Sequence, residues 1–147
     1  MTAEAKQPSG TRCFCNALRQ ASRAVSRLYD EEMRGAGLLT TQFSLLSILA
    51  RSGQIRQGDL IGLTSLDQTT LTRNLRPLVA AGWVSVRSGN DRRERLVRIT
   101  EAGMAKVAEA RPAWERAQVR MRTLLPEGAW QNLLAILPEI ARLGAEG

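Results

Sequence analysis

The chain has 147 residues, a single-domain length, and 44% of them are apolar, so it can bury a core without disulfide or metal staples. Lys and Arg total 21 against 14 acids, a net charge of +7, and there is no histidine. No nucleophile motif, glycine-rich phosphate loop or paired carboxylates occur either, so no enzyme, cofactor or metal site is expected.

The charge is uneven: residues 51–100 hold nine Arg and four acids, whereas residues 101–147 balance at six against six. A cationic middle is what a phosphate-neutralising surface requires. No apolar run is long enough to span a bilayer and residues 1–10 are not signal-like, so the chain is expected in the cytoplasm and off the membrane.

In chain order, residues 1–10 read as a disordered tail. From Thr11, the residues Phe14, Leu18, Ala21, Val25 and Leu28 recur at helical intervals, a heptad-like seam that needs a partner. Arg19, Arg23 and Arg27 form an outward row, solvated or paired with acids such as Asp30 or Glu31. Gly35 and Gly37 break this helix. Thr40 or Thr41 is expected to cap the next, with Phe43, Leu46, Leu49 and Ala50 facing inward. Ser52 and Gly53 turn the chain, residues 54–56 suit a short strand, and Gln57 to Leu63 a short helix.

The stretch from Leu60 to Ala81 organises the rest. Leu71, Leu75, Leu78 and Val79 share one helical stripe, which leaves Gln68, Thr69, Thr72, Arg73 and Arg76 outward, with Thr70 beside them. Asp67 can accept the free amides of the first turn, and Gly82 suits the end. Pro77 should bend the helix without ending it, because the apolar period continues beyond it. With the short helix before it and a turn through Thr64 and Ser65, the pair reads as a helix-turn-helix. Gln, Thr and Arg are the side chains that pair with base edges or clamp phosphates, although a polar helix face is also an ordinary solvated one.

After Gly82 the pattern alternates. Trp83 to Arg87 and Arg95 to Ile99 are strand candidates, with Val84, Val86, Val97 and Ile99 suited to a pleated surface. Between them, Gly89, Asn90, Asp91, Arg92 and Arg93 combine turn formers with positive charge, a hairpin tip able to reach a backbone or a minor groove. Thr100 should cap a long helix kinked at Pro112, with Met104, Val107, Trp114, Met121 and Leu125 on one side. Pro126 can begin a last helix carrying Trp130, Leu133, Leu134, Leu137 and Ile140. The terminal helices hold more apolar surface than the middle can cover, which points to a two-fold dimer. The predicted fold class is mainly α with a small β wing: residues 37–100 form a winged helix-turn-helix, and residues 11–36 and 101–147 a helical dimerisation region of the same compact fold.

The stretches LDQTTLTRNLRPLVAAGWV, NDRRERLVRITEAG and RLYDEEMRGAGLLTTQFSLL resemble the MarR family of winged-helix transcriptional regulators over residues 11 to 143. The resemblance implies a homodimer that binds a pseudo-palindromic double-stranded DNA operator, usually as a repressor released by a small aromatic or phenolic effector. By position, Gln68 through Ala81 becomes the reading helix. Asp91 and Arg93 match the wing signature, with Asp91 expected to pair with a nearby Arg. Asn90 stands where many members carry an Arg, which makes Arg92 a second candidate for the minor groove.

The resemblance also admits thiol-based redox sensing at Cys13 and Cys15. Two positions apart on a helix, they point to different sides and are poorly placed to bridge each other, although a bond across a dimer is open. The plainer expectation is two buried, inert thiols. A protein-binding adaptor that never touches DNA is the other competing function.

Overall fold

The computed structural model describes residues 13–64 and 66–145, so the tail predicted at residues 1–10 lies outside it. The chain runs α1 (Phe14–Met33), a 3-10 turn (Arg34–Ala36), α2 (Thr40–Ser52), β1 (Gln54–Arg56), α3 (Gln57–Leu63), α4 (Gln68–Ala80), β2 (Val84–Ser88), β3 (Arg95–Ile99), α5 (Glu101–Leu124) and α6 (Ala129–Ala145). The three strands form one antiparallel sheet in the order β1-β3-β2, with Val86 opposite Val97 and Ile55 on the far side of Val97.

Leucine spacing builds the core. Leu45, Leu46 and Leu49 of α2, Leu60 of α3, Leu71, Leu75 and Leu78 of α4, and Val84, Val97 and Ile99 of the sheet are buried together with Met33 and Phe43. Two expectations change. Leu45 is buried whereas Ala50 is only half-buried, and Val79 is 41% exposed, because α4 presents the narrower stripe Leu71, Leu75 and Leu78 to the core. As the apolar period predicts, α4 continues past Pro77 to Ala80. Gly82, at φ 77°, then takes the left-handed turn that sends the chain into the wing.

Neither Thr40 nor Thr41 caps α2. Leu39 occupies the cap position, the Asp30 carboxylate on α1 accepts from the Thr40 amide at 2.7 Å, and Gln42 Oε1 accepts from the Leu39 amide at 2.9 Å. One first-turn donor of α2, the Thr40 amide, is thus satisfied by a tertiary acceptor, while Gln42 of the same turn takes the Leu39 amide. Asp30 is therefore not a partner for the Arg row. Arg19, Arg23 and Arg27 are exposed, and none forms an ion pair among the described residues.

The inner face of α5 is lined by small residues: Gly103, Val107, Ala110, Ala113 and Ala117 are buried, whereas Met104, predicted inward, is 48% exposed. Alanines there let α5 lie close to α1. The two helices are also joined by a hydrogen bond from the Tyr29 hydroxyl to Gln118, by Arg120 on Glu31 and Glu32, and by Arg116 on Glu32. Val25 and Leu28 at the lower end of the α1 seam are half-buried, while Phe14 and Ala21 stay exposed. On α6, Leu133, Leu134, Ile136, Leu137 and Leu143 are all exposed.

The root of the wing is tied to α5 at one point. Thr100 Oγ1 donates to the Gly82 carbonyl at 2.6 Å and accepts from the Gly103 amide at 3.1 Å, while the Thr100 amide donates to the Trp83 carbonyl at 2.9 Å. A Cβ at Gly103 would stand 2.2 Å from that Trp83 carbonyl oxygen and 2.6 Å from Ile99 Cγ1. Backbone cannot move aside as a flexible side chain can. Gly103→Ala is therefore expected to cost about 3 kcal/mol, at the upper end of overpacking effects, despite alanine's better helix propensity. Denaturant melts would show it, and an unchanged midpoint would contradict this packing.

Candidate nucleic-acid interface

The outer face of α4 starts from its cap. The Thr70 amide donates to Asp67 Oδ1 at 2.8 Å, and this backbone hydrogen bond, with a smaller contribution from the charge of Arg73, holds the Asp67 carboxyl below its ordinary pKa. Gln68, Thr69, Thr72, Arg73 and Arg76 are exposed and together line a shallow groove along the helix. Arg73 and Arg76 make no ion pair among the described residues. Thr70 is half-buried and set apart from this face, with its carbonyl accepting from Asn74 Nδ2 at 2.8 Å.

Two hydrogen bonds engage Thr72. Its hydroxyl donates to the Gln68 carbonyl at 2.9 Å and accepts from Gln57 Nε2 at 3.1 Å. Gln57 is the first residue of α3, so the two helices of the helix-turn-helix meet through this side chain.

Beyond α4, strands β2 and β3 carry the tip, where Asn90, Asp91, Arg92 and Arg93 are all exposed. Among the described residues Asp91 does not pair with an arginine side chain. Its Oδ1 accepts from the Arg93 amide at 3.1 Å and its carbonyl from the Glu94 amide at 2.9 Å, so it shapes the tip from within as an Asx turn. An ion pair from Arg56 Nε to Glu94 Oε1 at 2.5 Å ties the wing to the body, from the end of β1 to the residue just before β3. Gly89 makes room for it, because a Cβ there would meet the Glu94 carboxylate. Arg87 adds a second link by donating to Gln54 Oε1 at 2.8 Å.

Between α3, α4 and the wing lies a groove of about 970 Å³, with Gln68, Thr72 and Arg76 on one wall and Asp91, Arg93 and Arg95 on the other. The cationic face of α4 and the wing thus open on the same side. Asn90 and Arg92 stand outside this groove, at the tip. Sequence reading does not single out Arg56, Gln57 or Glu94. An acid directly after two arginines in a cationic hairpin hints at an internal ion pair, but Arg56 and Gln57 carry no local signal.

A second, smaller groove of about 520 Å³ separates α2 from α5, lined by Phe43, Ser47, Arg51, Arg111 and Trp114 among others. Phe43 and Trp114 stack with centroids 5.9 Å apart, and Ser47 Oγ is buried without a hydrogen-bond partner. Cys13 and Cys15 are both exposed in the described chain, not buried as the plainer expectation had it, because the start of α1 projects beyond the core. Among the described residues no helix is long and apolar enough to cross a membrane.

Comparison with known proteins bears on this geometry. The sequence model of the MarR family matches residues 38–94, from just after the 3-10 turn to the residue before β3. The HTH-type transcriptional regulator YwoH of Bacillus subtilis is 29% identical over 110 residues, 75% of each chain. Among solved structures, the transcriptional regulator MosR of Mycobacterium tuberculosis in complex with DNA is 30% identical, covering 92% of this chain and 96% of its own, with a TM-score of 0.77. BpsR of Bordetella bronchiseptica, described with the regulation of its DNA binding by 6-hydroxynicotinic acid, shares the fold at a TM-score of 0.80 and 23% identity, over 92% of this chain and 98% of its own.

Proposed function

The chain belongs to the MarR family of transcriptional regulators, and on that premise we propose that it works as a cytoplasmic homodimer binding a pseudo-palindromic double-stranded DNA operator sequence-specifically. The observation that carries this reading is the shared groove, with Arg76 of α4 on one wall and Arg93 of the wing on the other. Gln68, Thr72 and Arg76 from that groove, with Thr69 and Arg73 from the shallower groove along α4, meet the major groove, and Thr70 contributes through the capped first turn. Asn90, Arg92 and Arg93 approach the minor groove or its phosphates, on a tip that Asp91 shapes.

The regulator acts as a repressor that a small aromatic acid releases. The DNA binding of BpsR is regulated by such a compound, and the groove between α2 and α5 offers matching chemistry: a stacked aromatic pair, the Arg51 and Arg111 guanidinium groups, and an unsatisfied serine hydroxyl.

Fluorescence anisotropy on labelled duplexes from the chromosomal region beside the gene tests the central claim. If each dimer neutralises about six phosphates, affinity should fall roughly a thousandfold between 50 and 200 mM salt. A flat salt response, or binding to a protein partner with no duplex affinity, would favour an adaptor instead.

A further inference from the structure

We propose that Thr72 reads DNA sequence with its methyl group, through contact with the C5-methyl of a thymine, and not with its hydroxyl; the inference rests on the duplex-binding reading above. Thr72 is exposed and lines both the groove toward the wing and the shallower one along α4. Its hydroxyl is already engaged in both senses, donating to the Gln68 carbonyl and accepting from Gln57 Nε2. A hydroxyl has one proton, so that donor is committed to the backbone. Donating to a base edge would break this bond, and with Gln57 on one lone pair a single acceptor position is all that the hydroxyl has left.

The methyl is the one terminus of this side chain without a hydrogen-bonding task. In the major groove a methyl at C5 distinguishes thymine, and apolar contact is the interaction that recognises it. Gln57 is then a positioning residue: from the first turn of α3 it holds the rotamer that presents the methyl. Hydrogen-bond readout is left to Gln68 and Arg73, whose side chains form no hydrogen bond or ion pair with other described residues.

The test begins with the duplex that the wild-type protein enriches from a randomised library. Each thymine is replaced in turn by deoxyuridine, which removes only the C5-methyl. One thymine per half-site should then cost about fourfold in affinity, the value of one buried methyl-sized group. Thr72→Val, which keeps the methyl and has similar helix propensity, should bind the thymine duplex within about twofold of wild type and lose the same fourfold at that base. Thr72→Ser should bind the thymine and uridine duplexes alike there.

The proposal is overturned if Thr72→Val loses as much affinity as Thr72→Ser. It is equally overturned if Thr72→Ser still responds to every uridine that wild type does, because another residue then reads the methyl. Should wild type enrich no sequence and bind no duplex, the DNA-binding reading itself falls and takes this inference with it.

Discussion

Replacing Arg73 and Arg76 together with alanine should lower operator affinity by about three orders of magnitude while leaving the fold intact. A symmetric dimer loses four guanidinium groups at once, and at about 1 kcal/mol each, the low end for such contacts, the sum is about 4 kcal/mol. Both side chains are exposed and without ion pairs among the described residues, so thermal melting should be unchanged. The salt slope should also flatten, by about 0.9 for each phosphate contact removed.

Arg122→Ala is the control. It lies in the last turn of α5, about 30 Å along the helix from the root of the wing at 1.5 Å per residue, and packs over the Trp130 ring at 5.3 Å. An equal loss of affinity from Arg122→Ala, with the dimer intact by light scattering, would mean that net charge, and not the face of α4, drives binding. That outcome would remove the reading helix from its role.

Leu133→Asp with Leu137→Asp should abolish the dimer. The two leucines lie one turn apart on α6, 41% and 42% exposed, in a stripe continued by Trp130 and Ile140. Covering them requires another surface, and an isologous interface places each leucine in it twice. Four leucines at about 2 kcal/mol each come to about 8 kcal/mol, before the cost of burying carboxylates. That would carry a nanomolar dimer to about millimolar. Light scattering at micromolar protein should report a monomer, with operator affinity lost because two reading helices no longer act together. A dimer of wild-type strength would place the interface elsewhere.

Much of the interface is legible in the linear chain because local rules act within one or two turns. Asp67 caps α4 at the residue where its short carboxylate can reach the first-turn amides. The expected bounds of α3 hold because Ser52 and Gly53 before it and Thr64 after it are turn formers. The β3 bounds follow from alternation, and β2 begins one residue later than expected, at Val84, with Trp83 left in the turn that meets α5.

Other features are not local, and they escape such a reading. The cap on the first turn of α2 comes from Asp30 on another helix. The inner face of α5 is marked by alanines, which apolar periodicity weighs lightly, yet close helix approach needs small side chains there and pushes Met104 outward. Asp91 turned inward to its own loop, and the wing's ion pair fell to Glu94 and Arg56.

From residue order alone came the leucine stripe of α4, its polar opposite face, the aspartate that starts it and the cationic hairpin that follows. Hydrophobic period, capping and turn chemistry depend only on neighbours a few positions away. Tertiary packing alone decided that helix and hairpin share one groove, that Gln57 occupies the Thr72 hydroxyl, and that Arg56 anchors the wing through Glu94. These contacts join residues distant in the chain, and their geometry exists only once the core has brought α3, α4 and the sheet together.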